Sequence, residues 1–161
     1  MSHKQIRELV KHTLRRMGMW SQEAEELVFL TGMVESGYDY IYQIGSGIAR
    51  SFWQGESATA KDCIDNYLAY RKKKLDKVCE VMHIDPDTLL EMSDEDLKHL
   101  LWGNIIAGIV FCRIKYWRVP KRIPIDLEGM ARYWKAYYNT EGGAGTVSHF
   151  LEKADKRKDK K

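Results

Sequence analysis

Apolar residues recur along most of this chain with a period close to 3.6, which predicts helices. Ile6, Leu9, Val10, Leu14 and Met17 fall on one face. Ser2 precedes them with Gln5 three residues on, a capping-box spacing, and Gly18 ends the run. Ser21 opens a second helix whose first turn holds Glu23, Glu25 and Glu26, the end at which a helix dipole favours anions. That helix runs to about Ser36 and stops at Gly37. The stretch from Gly37 to Ser57, with further glycines at 45, 47 and 55, has no sustained period and reads as a long structured loop.

Beyond it, Thr59 is expected to cap a third helix with Ile64, Tyr67, Leu68, Leu75, Val78 and Met82 on one face. Asp85-Pro86 opens a short helical turn. Ser93 with Asp96 opens a helix running to Trp117, so apolar around its circumference that it is expected to be the central buried one, with Asn104 and Gly108 as structural positions on it. Pro120 and Pro124 break the chain, and Asp126 caps a helix through Tyr138. A glycine-rich turn spans Asn139 to Gly145, and Thr146 caps a last helix. No alternating strand and no hairpin signal is present, so the expected class is all-α or nearly so.

Composition narrows the classes. The 161 residues suit one domain, expected over 1–151 with a basic flexible tail at 152–161. That tail holds six Lys/Arg and three Asp/Glu, which accounts for the whole formal charge of +3. A neutral body is not the footprint of a nucleic-acid-binding protein, so no nucleic-acid partner is expected. Three cysteines without a CxxC, and His83 and His99 without ligand spacing, point to no disulfide scaffold, no metal and no cofactor. No apolar run reaches the ~18 residues of a membrane span, and the N-terminus lacks the apolar core of a secretory signal. Synthesis in a cytoplasm is the expectation.

Glu35 is the acidic residue out of place. Thr31, Val28 and Ala24 lie within roughly 60° of it on a 3.6-residue helix, so it shares their core-facing side. It also lies at the C-terminal end, where the dipole disfavours an anion. Burial and dipole together raise a carboxyl's pKa, which suits a general acid. The alternative is a helix-end Glu turned to solvent or paired with an Arg.

Glu35-Ser36-Gly37, followed by a glycine-containing loop and Ser51-Phe52-Trp53-Gln54, resembles the Glu-Ser and Gly-Leu-x-Gln motifs of lytic transglycosylases of the lysozyme-like superfamily. Asn104-Ile105 with Ala107-Gly108 resembles that family's Asn-Ile-x-x-Gly helix. Ala136-Tyr137-Tyr138-Asn139, with the glycines that follow, resembles its Ala-Tyr-Asn-x-Gly segment. Ala49 through Thr59 is similar to a run in short bacteriophage-encoded members. The blocks stand in the family's order across residues 28–150; Ser51-Phe52 stands where the family has Gly-Leu.

The resemblance implies a lysozyme-like helical domain that cleaves the β-1,4 bond of peptidoglycan with Glu35 as single general acid and base. It implies substrate contacts for Ser36 and Gln54, with Tyr138 positioning Glu35 and Asn139 touching substrate or holding the turn. Trp53, in the loop, is the aromatic candidate for stacking on a sugar, whereas Trp102, Trp117, Trp134 and Tyr133, at helical spacing, read as core. Gln54 closing its own loop and Tyr138 as a core aromatic are the plainer readings of those two. A hydrolytic muramidase of the same fold needs a second carboxylate, for which Glu56 and Asp39 are the candidates. A structural virion component that keeps the fold is the reading from another class. Phage lysis or virion proteins are the implied partners beside the glycan, and the cell wall the implied place of action.

Overall fold

The structure is a computed structural model in which residues 2–45, 47–140 and 142–156 are described. Among these the chain is all-α: nine α-helices and two short irregular helical turns, with no sheet. The helices are α1 (His3–Arg16), α2 (Gln22–Glu35), α3 (Ser57–Asn66), α4 (Lys72–Met82), α5 (Pro86–Glu91), α6 (Asp94–Gly103), α7 (Ile105–Trp117), α8 (Leu127–Trp134) and α9 (Val147–Asp155). Most start where a side chain satisfies the first free backbone N–H groups. Ser21 accepts from Ala24 N, Asp85 from Thr88 N, Asp126 from Gly129 N and Thr146 from His149 N. Ser93 and Asp96 form a reciprocal capping box.

Helix α7 is the centre of the fold. It packs against α1, α2, α3, α4 and α6, and its residues from Ala107 to Ile114 are buried. The core around it joins Leu14, Leu27, Leu30, Ile64, Val78 and Leu97 from five other helices.

Three sequence expectations are corrected. The helix expected from Thr59 to Met82 is broken at Tyr67–Arg71 into α3, a 3-10 turn over Leu68–Tyr70, and α4. Thr59 is not its cap; α3 starts two residues earlier, behind Glu56, and no side chain caps it. The long apolar helix ending at Trp117 is likewise two helices, α6 and α7, bent by 113° at Asn104. Asn104 lies outside both, in extended backbone, where its Oδ1 accepts from Ala107 N and its amide donates to Met82 O. A capping side chain here outweighs continuous helical periodicity, as the competition between Asn and the backbone for hydrogen bonds allows. Among the described residues no single helix is long and apolar enough to cross a membrane.

The segment expected as a tail also differs. Glu152 to Asp155 belong to α9, and Ala154 is fully buried. Residues 157–161 lie outside the described residues.

The loop between α2 and α3 is held without a sheet. Gln43 N donates to Ala49 O, Ser51 N to Ile41 O and Arg50 N to Gly55 O. It then turns tightly through Ser51 and Gln54, both with positive φ, 66° and 48°. This turn lies against α7 at Gly108. A Cβ there would stand 2.9 Å from both Ser51 Cβ and Trp53 Cε3, so only glycine admits so close an approach.

Candidate functional site

Helix α2 ends at Glu35, and the carbonyls of its last turn are closed locally: Ser36 N and Gly37 N both donate to Gly32 O. Tyr40, from the following loop, donates its hydroxyl to the Glu35 carbonyl at 2.8 Å and fixes the backbone from which the carboxyl projects. The side chain enters a cleft of about 510 Å³. Its walls include Glu35, the loop residues Ser51 and Gln54, the α7 face of Gly108, Cys112 and Lys115, and Tyr138 and Asn139, with Thr59 and Ala60 of α3 and Leu101 of α6. On α7 the spacing of 108, 112 and 115 is one helical face, so a single stripe forms the back wall.

The Glu35 carboxyl is held by the indole of Trp134, whose Nε1 donates to Oε1 at 2.9 Å. Burial pushes its pKa up from the ordinary value. The Trp134 hydrogen bond and the nearby Lys115 charge pull the other way without reversing the shift. Lys115 is itself half-buried, and burial holds its pKa below the usual lysine value. Its amine donates to the Tyr138 carbonyl at 2.7 Å and lies 4.2 Å from the Tyr138 ring centroid. The cleft therefore joins a carboxyl biased toward its protonated form and a cation able to steady its ionised form. Cys112, in the same wall, is a thiol that burial keeps protonated, which makes it a poor nucleophile.

The expected site residues divide. Glu35, Gln54, Glu56, Tyr138 and Asn139 share the cleft. Gln54 is half-buried, and its amide donates to Ser51 O at 2.8 Å, closing its own turn. Asn139 Oδ1 accepts from Lys135 Nζ. Its segment is a π-type turn, Lys135–Asn139, closed by Thr140 N donating to Lys135 O. Glu56 is exposed at the rim.

Four roles are corrected. Ser36 is buried and turned inward; its hydroxyl bonds the Gly32 carbonyl and accepts from Tyr38 N, so it closes a helix end instead of facing a sugar. Trp53 is fully buried with its indole donating to Val28 O, so it cannot stack on a ligand. Tyr138 does not hold Glu35: its hydroxyl donates to Trp53 O at 2.7 Å and its ring stacks on Tyr116. Asp39 is exposed and lines a separate hollow with Tyr38 and Tyr42. Of the aromatics expected in the core, Trp102 and Trp117 are exposed.

Two residues of the site escaped sequence reasoning. Trp134 is buried as expected, yet its donor is spent on Glu35, and nothing in local spacing pairs residues 99 positions apart. Lys115 had a readable signal: a lysine inside the most apolar helix of the chain needs a polar outlet. Among the described residues no group of His, Cys, Asp and Glu side chains comes together as a metal site requires.

The chain matches no protein-family model, no curated protein and no solved structure.

Proposed function

We propose that this protein is a lytic transglycosylase that cleaves the β-1,4 bond of peptidoglycan with Glu35 as its single general acid and base. One observation carries the reading: a desolvated carboxyl stands in a cleft whose walls come from all four sequence blocks that resemble the family. Glu35 comes from the first, Ser51 and Gln54 from the second, Gly108 from the third, and Tyr138 and Asn139 from the fourth. Ser51, where the family has glycine, adopts the positive φ that glycine takes without strain.

In the reaction, protonated Glu35 gives its proton to the glycosidic oxygen as the bond to C1 breaks. Positive charge develops on the muramyl ring, and the acetamido oxygen of that sugar can share it. The muramyl 6-hydroxyl then bonds to C1 and loses its proton to the Glu35 carboxylate, which regenerates the acid and leaves a 1,6-anhydro end. Between the two proton transfers the carboxylate is stabilised by the Trp134 indole and the Lys115 charge. A single carboxyl suffices because no water needs activation. The family's bacteriophage members set the expectation of a phage lysis or virion role.

The hydrolase reading keeps one specific support: Glu56 lines the same cleft. Mass spectrometry of products from purified peptidoglycan separates the readings. Anhydro-muramyl ends are expected; reducing ends would make it a hydrolase, and no product from several wall types would leave the structural-protein reading. E35Q is expected to lower turnover by ~10²–10⁴-fold, the usual loss with a general acid or base.

A further inference from the structure

Arg113 lies two residues before Lys115 on α7, so the two point roughly 200° apart around the helix. Arg113 therefore belongs to the opposite side of the molecule from the cleft. It is the one charged residue among the buried ones described, 5% exposed. Its Nε donates to the Met19 carbonyl at 2.9 Å. Its guanidinium carbon lies 4.9 Å from the Trp117 ring centroid. Among the described residues no carboxylate lies within ion-pair distance, and its terminal nitrogens have no hydrogen-bond partner there. A guanidinium carries five N–H donors in a fixed fork, and with only Nε bonded to the protein its terminal donors are left for solvent or a ligand.

The fork opens on a second hollow of about 640 Å³. Its walls are largely apolar: Trp20, Trp117, Ile123, Ile125 and Tyr133. Trp20, Trp117 and Ile125 are exposed although large and apolar. Cations also lie over the two indoles, with Arg15 4.7 Å from the Trp20 ring and Lys74 4.6 Å from the Trp117 ring. Tyr133 is fixed by donating to Lys121 O. The volume is that of a small-molecule site, and a few polar groups in an apolar wall are how such sites set orientation. Lys121, Arg122 and Glu23 also line the hollow, so with Arg113 its charge is net positive and suits an anion.

We propose that this hollow binds a small organic acid, its carboxylate bidentate on Arg113 and its apolar body against Trp117, Trp20 and Ile125. The chemistry matches in kind: planar carboxylate to planar fork, and apolar body to the exposed indoles and Ile125. This site is independent of the Glu35 reading, because it shares no residue with the cleft.

The test uses the full chain and 3-phenylpropionate as probe, followed by the indole N–H signals in a ¹H–¹⁵N NMR titration. The Trp117 and Trp20 signals are expected to shift saturably, while those of Trp53 and Trp134, in the core, stay put. The neutral amide of the probe is expected to bind at least about tenfold more weakly, the usual effect of losing a charged hydrogen-bonded pair. R113M is expected to match that loss, and R113K to recover part of it, since lysine supplies charge without the fork. Unchanged Trp53 and Trp134 signals show that a variant is folded; should R113M not fold, the acid-against-amide comparison on the unmutated chain decides. No saturable shift, equal binding of acid and amide, or inorganic phosphate binding as tightly as the acid would each overturn the proposal.

Discussion

Trp134 and Glu35, 99 residues apart in sequence, share a 2.9 Å hydrogen bond from the indole N–H to the carboxyl. The bond ties the end of α2 to the end of α8. It also moderates the rise in the Glu35 pKa, because a donor favours the ionised form of a carboxyl that burial disfavours more strongly.

W134F removes that donor and keeps most of the aromatic volume. The Glu35 pKa is expected to rise further, since a force that lowers it is gone. A general acid works in its protonated form, so activity falls as pH rises through this pKa. The alkaline limb of the pH–rate profile should therefore move to higher pH in W134F. An unmoved limb would show that the indole does not tune the acid. Stability should fall by about 1–3 kcal/mol, from the lost hydrogen bond and the reduced packing.

Glu35 also shapes stability against pH. Its raised pKa means that the folded chain holds the proton more tightly than the unfolded chain does. The folded state binds more protons through the window from the ordinary 4.5 up to the raised value. Stability drawn from this group is thus greatest below 4.5 and declines as pH climbs through that window. E35Q has no such slope. Thermal melts should show the Tm difference, E35Q minus unmutated, growing more positive from acid to neutral pH.

How much of this was legible beforehand follows from the range of each force. Caps at Ser21, Asp85, Ser93, Asp126 and Thr146 were readable because each acts within three residues. The apolar stripe of α1 and the buried α7 were readable from periodicity. The 113° bend at Asn104 was not, because the apolar pattern continues through it and only the Asn side chain diverts the backbone. Glu35 stood out because its position on α2 is a local property. Its donor, the inward turn of Ser36 and the burial of Trp53 depend on which elements meet, and local pattern is silent on that.

Glu56 and Asp39 separate one-carboxyl from two-carboxyl chemistry. Glu56 lines the cleft, whereas Asp39 lies at another hollow. Under the proposed mechanism E56Q should cost far less than the ~10²-fold expected for a general acid or base, and D39N should cost nothing measurable in steady-state cleavage. A loss in E56Q equal to that in E35Q would establish a second catalytic carboxylate.

Gly108 tests whether the back wall of the cleft depends on close approach. In G108A the added methyl meets Ser51 and Trp53 at 2.9 Å, and Trp53 is fully buried with little room to yield. Overpacking of this kind costs about 1–3 kcal/mol. The urea midpoint should fall accordingly. KM for glycan should rise as well, because the displaced turn carries Gln54 into a different position on the wall. A midpoint equal to that of the unmutated chain would mean that the turn moves without resistance.

The C-terminal charges and the last helix should separate in two truncations. A chain ending at Lys156 keeps all of α9, and loses four basic residues and one acidic residue. Its stability should stay within about 0.5 kcal/mol, since no packing among the described residues is removed. Binding to anionic cell wall should weaken mainly at low salt, where screening is least. A chain ending at Leu151 also loses Ala154, fully buried, and the last turn of α9. That turn steadies Phe150, whose ring packs 5.5 Å from the ring of Trp134. Trp134 in turn holds Glu35. The shorter chain should therefore lose both stability, by about 1–2 kcal/mol for a buried apolar contact and its helical turn, and glycan cleavage, while the longer one loses neither. Equal melting temperatures for the two truncations would show that α9 is not needed to keep the indole on the carboxyl.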